Sequence, residues 1–530
     1  MLCIKTLSLI SVACSLLLAL SCSSESTPAP GPKQENSIAS KKPEVHTPPT
    51  AAKESLKPPS PDHLPGPRAY FGEIALKRHT EATQIESRPK SSVVLVVIDA
   101  LNAKHLGIYG YDRPTTPNLD KLAGRGLLLS NHVSNSSWTR PSFTTIIAGL
   151  PKSVHGVELG GRRLEMEITT LAEHFKKAGY RTAGFVGNPL VREIWGFGQG
   201  FQTYIDTKTL DKAFPPDSVL VDRALRWLKK VGEKPFFLML FLTGPHVPYR
   251  PPTRHKNYLA ELPKGPVIQY PFKEYLKPLP KMDHARMVAA YDGDVAYSDE
   301  QVGRLVEFLE SSGRISNTSL LITADHGEVF GHNNCYVHAY HMWEPALRVP
   351  FILFTEALSS RGIYDDRPFT HVDIVPTLLD LAGLPIPPLL TGVSIVKALA
   401  DLNVGRDRIL FSQFNAHGIR RQAIRKGSMK LIHHHDVDLA DLAGLDKLHT
   451  KIPQPDPKDL PSLAVNGERF ELYDLSADSK EERDIFDSHR EDKNTKELLD
   501  ALSPYLSGKS LTPALSDETL KALRAAGYIK

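Results

Sequence analysis

The chain has 530 residues, of which 41% are hydrophobic and 23% charged, and a formal net charge of +4. This composition is that of an ordinary globular protein, long enough for one large core and a smaller second domain. A net charge this small gives no support to nucleic-acid binding, so we expect no nucleic-acid partner.

The first 22 residues have the pattern of a secretory signal. Lys5 precedes an apolar run from Leu7 to Leu20, and small residues follow it. The segment Ala19-Leu20-Ser21-Cys22 resembles a bacterial lipobox, in which Cys22 is lipidated after cleavage. An uncleaved anchor or a plain signal peptide is the alternative. We expect a protein of the bacterial cell envelope that faces the periplasm or the exterior and touches the membrane by its lipid anchor only, since no later stretch reaches spanning length.

Composition divides the rest of the chain into three parts. Residues 23–90 are rich in Ser, Pro and Lys and predict a disordered tether. We predict a catalytic domain over residues 91–400 and a smaller C-terminal α+β subdomain over residues 401–530. After signal cleavage and lipidation Cys335 is the one free cysteine left, so the mature chain has no internal disulfide.

Apolar strands alternate with helices through the predicted catalytic domain. The run from Val93 to Ile98 is apolar throughout, which is typical of a strand buried on both faces. Further strands are predicted at 127–133, 181–186, 235–242, 319–323 and 348–354, and helices at 117–125, 170–178, 217–231, 282–312 and 373–382. This alternation predicts an α/β fold with a mostly parallel central sheet flanked by helices.

Polar residues of the kind found in active sites stand within four residues of the ends of three of these strands. Asp99 follows the first strand, His246 follows the strand at 235–242, and Asp325-His326 follows the strand at 319–323. Open α/β sheets bind ligands at the carboxyl ends of their strands. Two carboxylates and an imidazole suit one divalent cation, and Ca, Mg, Mn and Zn all remain open.

A loop that enters a helix supplies one more polar residue. In Trp138-Thr139-Arg140-Pro141-Ser142 the proline suits a first helical turn, so Thr139 is expected just before the helix. Thr139 is then either a helix cap or, beside the cation, a nucleophile whose pKa the cation lowers. In the second case His246 neutralises substrate oxygens or protonates a leaving group.

Residues from about 92 to 400 resemble the sulfatase branch of the alkaline phosphatase superfamily. The resemblance implies a sulfatase-like α/β fold with a smaller C-terminal subdomain, metal ligation by Asp99, Asp325 and His326 with Thr139 in contact, and a nucleophile at position 139. By the same resemblance His338 is a candidate substrate contact, and we add His155, which follows the helix after Thr139. The fragments that carry the resemblance are Val96-Val97-Ile98-Asp99, Thr116-Pro117-Asn118-Leu119-Asp120, Pro141-Ser142, Pro245-His246-Val247-Pro248, Asp325-His326-Gly327-Glu328 and His371-Val372-Asp373-Ile374-Val375-Pro376-Thr377.

The chain departs from the family pattern at several positions. Classical sulfatases carry a Cys-x-Pro-Ser-Arg type motif, in which the Cys, or a Ser in its place, is converted to formylglycine. This chain has Thr139 at the position of the Cys and Phe143 at the position of the arginine. Ala100 stands where a second aspartate is usual, and the family's Lys-x-His pair is not apparent near Asn188. A threonine nucleophile is similar to that of the phosphodiesterases, phosphonate hydrolases and phospho-head-group transferases of the superfamily.

The leading hypothesis is an extracytoplasmic metal-dependent hydrolase that cleaves sulfate or phosphate esters by attack of Thr139. Its substrate is a small molecule or a glycan or lipid ester. The alternatives are a phosphoglycerol- or phosphoethanolamine-type transferase and a catalytically silent lipoprotein that binds glycans. Outside the site, His433-His434-His435 is expected in a solvated loop, and Arg420-Arg421 on a solvated basic edge.

Overall fold

The computed structural model describes residues 76–158, 163–267, 279–416, 419–436 and 467–506. The predicted signal sequence with Cys22, and the predicted tether up to residue 75, lie outside these residues. Every helix in the described ranges is too short or too polar to span a bilayer.

Strands and helices alternate along the described chain, as the sequence pattern predicts. The strands are β1 (Lys77–Arg78), β2 (Ser92–Ile98), β3 (Leu127–Leu129), β4 (His132–Val133), β5 (Arg181–Val186), β6 (Thr203–Ile205), β7 (Phe236–Leu242), β8 (Thr318–Thr323), β9 (Phe330–His332), β10 (Cys335–Tyr336), β11 (Phe351–Phe354), β12 (Ile363–Asp365), β13 (Phe369–Thr370), β14 (Ile409–Ala416), β15 (Ile419–Lys426), β16 (Met429–Asp436) and β17 (Gly467–Asp474). The α-helices are α1 (Pro117–Ala123), α2 (Thr139–Ala148), α3 (Lys152–His155), α4 (Leu171–Lys177), α5 (Asp217–Lys230), α6 (Asn257–Ala260), α7 (Lys281–Ser311), α8 (Glu344–Leu347), α9 (Ile374–Leu381), α10 (Ile395–Ala400), α11 (Phe486–His489) and α12 (Lys493–Leu506).

The main sheet has the strand order β1-β12-β3-β11-β8-β2-β7-β5-β6. All its neighbouring strands are parallel except β11, which runs antiparallel to both β3 and β8. This confirms the predicted sulfatase-like α/β architecture with a mostly parallel sheet. The three strands that end in the predicted site residues, β8, β2 and β7, are adjacent, so their carboxyl ends meet at one edge.

Helices cover both faces of the sheet. Because side chains alternate along a strand, Val93, Leu95 and Val97 of β2 pack on one face and Val94, Val96 and Ile98 on the other. The first face is covered by α2, α4, α9 and α10, and the second by α1, α5 and α7. Both faces of the sheet are buried, which explains why the strands are apolar throughout and do not alternate between apolar and polar residues.

Two predicted boundaries differ from the structure. The predicted strand 127–133 is two short strands, because Ser130 and Asn131 turn the chain: β3 pairs with β12 in the main sheet and β4 with β13 in a separate one. The predicted tether ends earlier than residue 90, since β1 extends the main sheet and Ile85 is buried in its core. The polar composition of residues 23–90 gave no sign of this packing, because single apolar residues such as Ile85 are responsible for it.

The C-terminal part forms a separate antiparallel sheet of order β14-β15-β16-β17, with α12 packed on it. Its edge strand β14 is joined to the loop before α2, since Gln413 N–H donates to the Asn135 carbonyl at 2.9 Å and Asn135 Nδ2 donates to the Phe411 carbonyl at 2.8 Å. The solvated-loop expectation for His433-His434-His435 is wrong, because these residues lie in β16 and His433 and His434 are buried.

The expected basic edge is likewise a strand. Arg421 lies in β15 and is only 1% exposed. Polar residues on both faces of this sheet are buried, which the local sequence did not indicate.

Candidate active site

Three side chains converge at the shared edge of β8 and β2. Asp99, Asp325 and His326 each offer a ligand atom, and these atoms lie within 4.8 Å of one another. His326 Nε2 is 3.6 Å from Asp99 Oδ1 and 3.4 Å from Asp325 Oδ2. All three side chains are buried. Within the described residues this is the only such group of His, Cys, Asp or Glu side chains.

Each of these side chains uses one polar atom internally and directs the other at the centre. Asp325 Oδ1 accepts the backbone N–H groups of His326 and Ala100, and Asp99 Oδ2 accepts Asn188 Nδ2 at 2.6 Å. Asp99 Oδ1 and Asp325 Oδ2 are buried and have no hydrogen-bond donor among the described residues. His326 Nδ1 lies 2.9 Å from the Gly327 carbonyl, so it carries the proton and leaves the Nε2 lone pair facing the carboxylates.

Electrostatics make this arrangement unfavourable unless something positive joins it. Burial, and then the neighbouring Asp325, raise the pKa of Asp99 well above its ordinary value. Burial also raises the pKa of Asp325. The pKa of His326 falls to about 3, mainly through burial, so the ring is neutral at physiological pH. Two buried carboxylates with a neutral imidazole are short of positive charge.

The donor set fits a divalent cation. A cation bound about 2.0–2.6 Å from each ligand places neighbouring ligand atoms roughly 3–3.7 Å apart. The distances of 3.4 and 3.6 Å from His326 Nε2 agree with that spacing. Asn188 Nδ2 and the Ala100 N–H donate to the remaining carboxylate oxygens, and the Gly327 carbonyl accepts from His326 Nδ1. These are the outer partners that metal ligands usually have.

Asn188 is a site residue that sequence reasoning missed. It lies just beyond the carboxyl end of β5, in the region where the family pattern has a Lys-x-His pair, and its amide nitrogen donates to Asp99. The sequence feature that could have identified Asn188 is its position as a polar residue just after a strand of the same sheet.

Thr139 is the first residue of α2, not the residue before it. The N-cap is Trp138, in extended conformation, and it makes no side-chain cap hydrogen bond. The expectation that Thr139 precedes the helix as a cap is therefore wrong. Its hydroxyl instead lies 3.3 Å from His326 Nε2, where the positive end of the helix dipole favours an oxyanion.

Two further histidines line the same centre. The ring of His338 lies 4.3 Å from that of His326 and 5.1 Å from that of His246. His338 Nδ1 contacts Glu328 at 3.2 Å, and His246 Nδ1 contacts the Val247 carbonyl at 2.5 Å. Burial lowers the pKa of both histidines to about 3.

The structure places His155 elsewhere. Its Nδ1 accepts the Val157 N–H at 3.1 Å, and its Nε2 contacts Thr145 Oγ1 at 3.2 Å. Both ring nitrogens are thus used in joining the segment after α3 to α2, and no described contact brings His155 to the group above. We therefore assign it a structural role and no longer a substrate contact.

The departures from the family pattern also have a place in the structure. Phe143 lies in the core, with its ring 4.8 Å from that of Phe241. Ala100 adopts a left-handed conformation with φ of 58°, and its carbonyl accepts the Tyr291 hydroxyl at 2.8 Å. Neither side chain offers a polar atom to the site, and Ala100 contributes only its backbone N–H, which donates to Asp325 Oδ1.

Known proteins resemble this chain over most of its length. The family model described as Sulfatase matches residues 91–384. A sulfatase of Formosa agariphila is 28% identical over 369 residues, which cover 58% of this chain and 72% of the relative. An N-acetylglucosamine-6-O-sulfatase of Bacteroides thetaiotaomicron is 23% identical over 515 residues, 79% of this chain and 87% of the relative.

Solved structures share the fold. A protein in complex with its substrate D-glucosamine-2-N,6-O-disulfate superposes with a TM-score of 0.61 at 20% identity, covering 78% of this chain and 97% of that one. The phosphonate monoester hydrolase of Agrobacterium radiobacter gives a TM-score of 0.59 at 19% identity, covering 82% and 96%. With the family model matching more than half of its residues, the chain belongs to the sulfatase family, the sulfatase-like hydrolases of the alkaline phosphatase superfamily.

Proposed function

We propose that this protein is an extracytoplasmic, lipid-anchored and metal-dependent hydrolase that cleaves sulfate or phosphate esters by attack of Thr139. One observation carries the proposal. Asp99 Oδ1 and Asp325 Oδ2 are buried without donors and face His326 Nε2, while Thr139 Oγ lies 3.3 Å from the same nitrogen. Sulfatases of this family use a divalent metal, and Asp99, Asp325 and His326 would hold it here.

The remaining residues support an in-line displacement. A divalent cation supplies positive charge that lowers the pKa of a neighbouring hydroxyl and neutralises the ester oxyanion. Thr139 Oγ then attacks sulfur or phosphorus, and the bond to the leaving oxygen breaks on the opposite side. His246 and His338 border the centre and are neutral in the free protein. Each takes up a proton as the anionic substrate binds, and then binds the oxyanion or passes that proton to the leaving oxygen.

The threonine bears on the substrate class. A formylglycine hydrate has a second hydroxyl and expels sulfate by elimination, but threonine has none. Water must therefore attack the sulfo- or phospho-threonine directly, and attack on phosphorus, assisted by metal and cations, is the better-supported chemistry. Similarity in fold to a phosphonate monoester hydrolase is consistent with this preference.

The test is turnover of aryl sulfates and aryl phosphates by wild type and Thr139→Ala. We expect Thr139→Ala to lower kcat by at least ~10³-fold, the scale on which removal of a nucleophile acts. Thr144→Val is the matched control, because it removes another buried hydroxyl of α2 whose one hydrogen bond among the described residues is to the Arg140 carbonyl of the same helix. Intact-mass measurement of quenched wild type should show a covalent adduct on Thr139.

Turnover retained in Thr139→Ala would overturn the assignment of the nucleophile. Transfer of the group to an added alcohol, without release of free sulfate or phosphate, would replace hydrolysis by the transferase alternative. The cellular part has its own test: Cys22→Ser should move the protein from the membrane fraction to the soluble fraction, and an unchanged distribution would contradict the lipid anchor.

A further inference from the structure

We propose that His371 is a positioning residue, which acts through Ser142 and Ser134 to set the spacing between Asp325 and the helix that begins at Thr139. This inference rests on the proposed function, because it assumes that Asp325 is a metal ligand and Thr139 the nucleophile. It concerns a buried histidine behind the site, which contacts neither substrate nor metal.

Two serine hydroxyls meet at one carbonyl oxygen. Ser142 Oγ donates to the Asp325 carbonyl, and Ser134 Oγ lies 2.6 Å from that oxygen and 2.6 Å from the Ser136 carbonyl. The two hydroxyl oxygens are 3.1 Å apart, and both serines are fully buried. Ser134 has one proton and donates it to one of the two carbonyls, whereas the Asp325 carbonyl, with two lone pairs, has room for Ser142 in either case.

His371 determines which way the Ser142 hydroxyl points. Its Nδ1 lies 3.0 Å from Ser142 Oγ and 3.4 Å from Ser134 Oγ. A serine hydroxyl has one proton and rotates to suit its partners. We assign the Ser142 proton to the Asp325 carbonyl, and with this assignment Nδ1 is the donor toward Ser142 Oγ. The ring thus occupies a lone pair of that oxygen and keeps the hydroxyl turned toward Asp325.

The consequence is that Asp325 is held at both ends. Its carboxylate Oδ1 is held by the backbone N–H groups of Ala100 and His326, and its carbonyl is held by Ser142. Ser142 lies in α2, nearly one turn after Thr139. The hydrogen bond between Ser142 and Asp325 therefore connects the helix of the nucleophile directly to a ligand residue.

Burial of His371 is otherwise unexplained. The residue is 0% exposed, and its Nε2 has no hydrogen-bond partner among the described residues. Burying an imidazole with part of its hydrogen-bonding capacity unused is unfavourable, and an apolar residue of similar size would avoid the cost. The ring is itself held by the turn His371–Asp373, in which Asp373 Oδ2 accepts the Thr370 N–H at 2.8 Å, and by the ring of His132 at 5.1 Å.

The experiment measures binding of Mn²⁺ by calorimetry to His371→Leu, His371→Asn and Ser142→Ala. We expect His371→Leu and Ser142→Ala to weaken Mn²⁺ binding by about 10- to 100-fold, as loss of an outer partner of a ligand typically does. His371→Asn should recover most of the affinity, because its amide nitrogen stands near the position of Nδ1. Thr144→Val, on the same helix, is the control and should bind as wild type does.

Steady-state kinetics at saturating Mn²⁺ give a second readout. If the hydrogen bonds set the distance between nucleophile and ligand, kcat falls in His371→Leu while KM stays within a few fold. Unfolding temperatures of the metal-free variants report whether each one folds, and if His371→Leu does not, Ser142→Ala decides the matter.

Wild-type Mn²⁺ affinity in a folded His371→Leu would overturn the inference, and where that variant does not fold, wild-type affinity in Ser142→Ala would do so. Failure of the proposed function is distinguishable from that result. If Asp99→Ala also binds Mn²⁺ as wild type does, the metal site itself is wrongly assigned. If Asp99→Ala loses Mn²⁺ binding while His371→Leu and Ser142→Ala keep it, the metal site stands and only the role of His371 is wrongly assigned.

Discussion

Two buried clusters of charged residues differ in whether their charges are matched within the protein. The first is the candidate metal site of Asp99, Asp325 and His326. The second, which we call the interface cluster, consists of Glu344, Lys430, Glu481 and Arg425 and joins α8 of the main body to β15, β16 and the segment after β17 in the C-terminal part. Both contain two buried carboxylates.

In the interface cluster the cations are provided by the chain. Lys430 Nζ lies 2.9 Å from Glu344 Oε1 and 2.7 Å from Glu481 Oε1, and Arg425 lies 3.4 Å from Glu344. Burial alone would raise the pKa of Glu344, but Lys430 and Arg425 outweigh it and hold that pKa below its ordinary value. Burial raises the pKa of Glu481 to about 7, although the ion pair with Lys430 opposes this shift. The cations of the chain therefore compensate Glu344 fully and Glu481 in part.

In the metal site, by contrast, the ion pairs of Asp99 and Asp325 within the described chain are with a neutral histidine only. Burial raises the pKa of both carboxyls. Buried carboxylates therefore indicate a ligand site where the chain provides their oxygens with neither donors nor cations. Where the chain provides both, they indicate a structural role. Four predictions test this difference.

The largest effect is expected for Asp99→Asn. Loss of a carboxylate ligand should weaken Mn²⁺ binding by more than ~10³-fold, while the metal-free protein should not lose stability, because a buried like-charge repulsion is removed. Calorimetry with Mn²⁺ and chemical unfolding of the metal-free protein measure the two effects. A marked loss of stability in the metal-free variant would show that the negative charge is already compensated.

The opposite behaviour is expected for Lys430→Met. It leaves Glu344 and Glu481 buried without their shared cation and should lower the free energy of unfolding by about 3–5 kcal/mol. Lys426→Met is the control, since Lys426 pairs with Glu497 on the surface and should change stability by less than about 0.5 kcal/mol. Equal effects of the two substitutions in urea unfolding would refute the contrast.

A smaller effect is expected for Asn188→Ala. The variant loses the hydrogen bond that orients Asp99, and we expect Mn²⁺ affinity to fall by about 10- to 100-fold. Asn188→Asp is a useful companion, because it places a second carboxylate against Asp99 Oδ2. Affinity unchanged in Asn188→Ala would mean that Asp99 is oriented by the sheet alone.

The smallest effect concerns the pH dependence of stability. Glu471 lies 2.8 Å from Arg469 and accepts the Trp343 Nε1–H at 3.2 Å. Burial raises its pKa, but His434 and Arg469 outweigh burial and hold the pKa at about 2.

Because this folded-state pKa is below the unfolded one, the stabilisation from Glu471 is complete above the unfolded pKa of about 4.5 and is lost as pH falls toward 2. Between pH 4.5 and pH 3, wild type should therefore lose about 1 kcal/mol more than Glu471→Gln. Parallel pH profiles of unfolding in the two proteins would contradict the assignment of a charged Glu471.

Much of the site was predictable because parallel sheets obey a simple rule. Once Val93–Ile98, 235–242 and 319–323 are recognised as buried strands, their carboxyl ends must share an edge, and this brings Asp99, His246 and Asp325-His326 together. The rule works from local hydrophobicity alone, because strands buried on both faces are apolar throughout. Asn188 obeys the same rule and was within reach.

Other features were not predictable because distant segments decide them. Whether His155 faces a substrate or an internal hydroxyl depends on how α3 packs against α2. His433, His434 and Arg421 look like polar surface residues in the sequence, but all three are buried. His434 pairs with Glu471 on the face toward Trp343 of the main body, whereas His433 lies on the other face, 4.8 Å from the ring of Phe470. Thr139 begins α2 itself, and this shift of one position turns its hydroxyl from a cap into a group that faces His326 Nε2 at 3.3 Å.

By itself the sequence determined the α/β alternation, the order of the strands along the chain and the residues at the strand ends, because these follow from periodicity and composition within short windows. The tertiary structure alone decided which atoms of those residues lack partners. Hydrogen bonds to Asn188, Ala100 and Gly327 use one polar atom of each ligand side chain and leave the other toward a common centre. Such pairing depends on contacts between residues up to 225 positions apart, which no local pattern encodes.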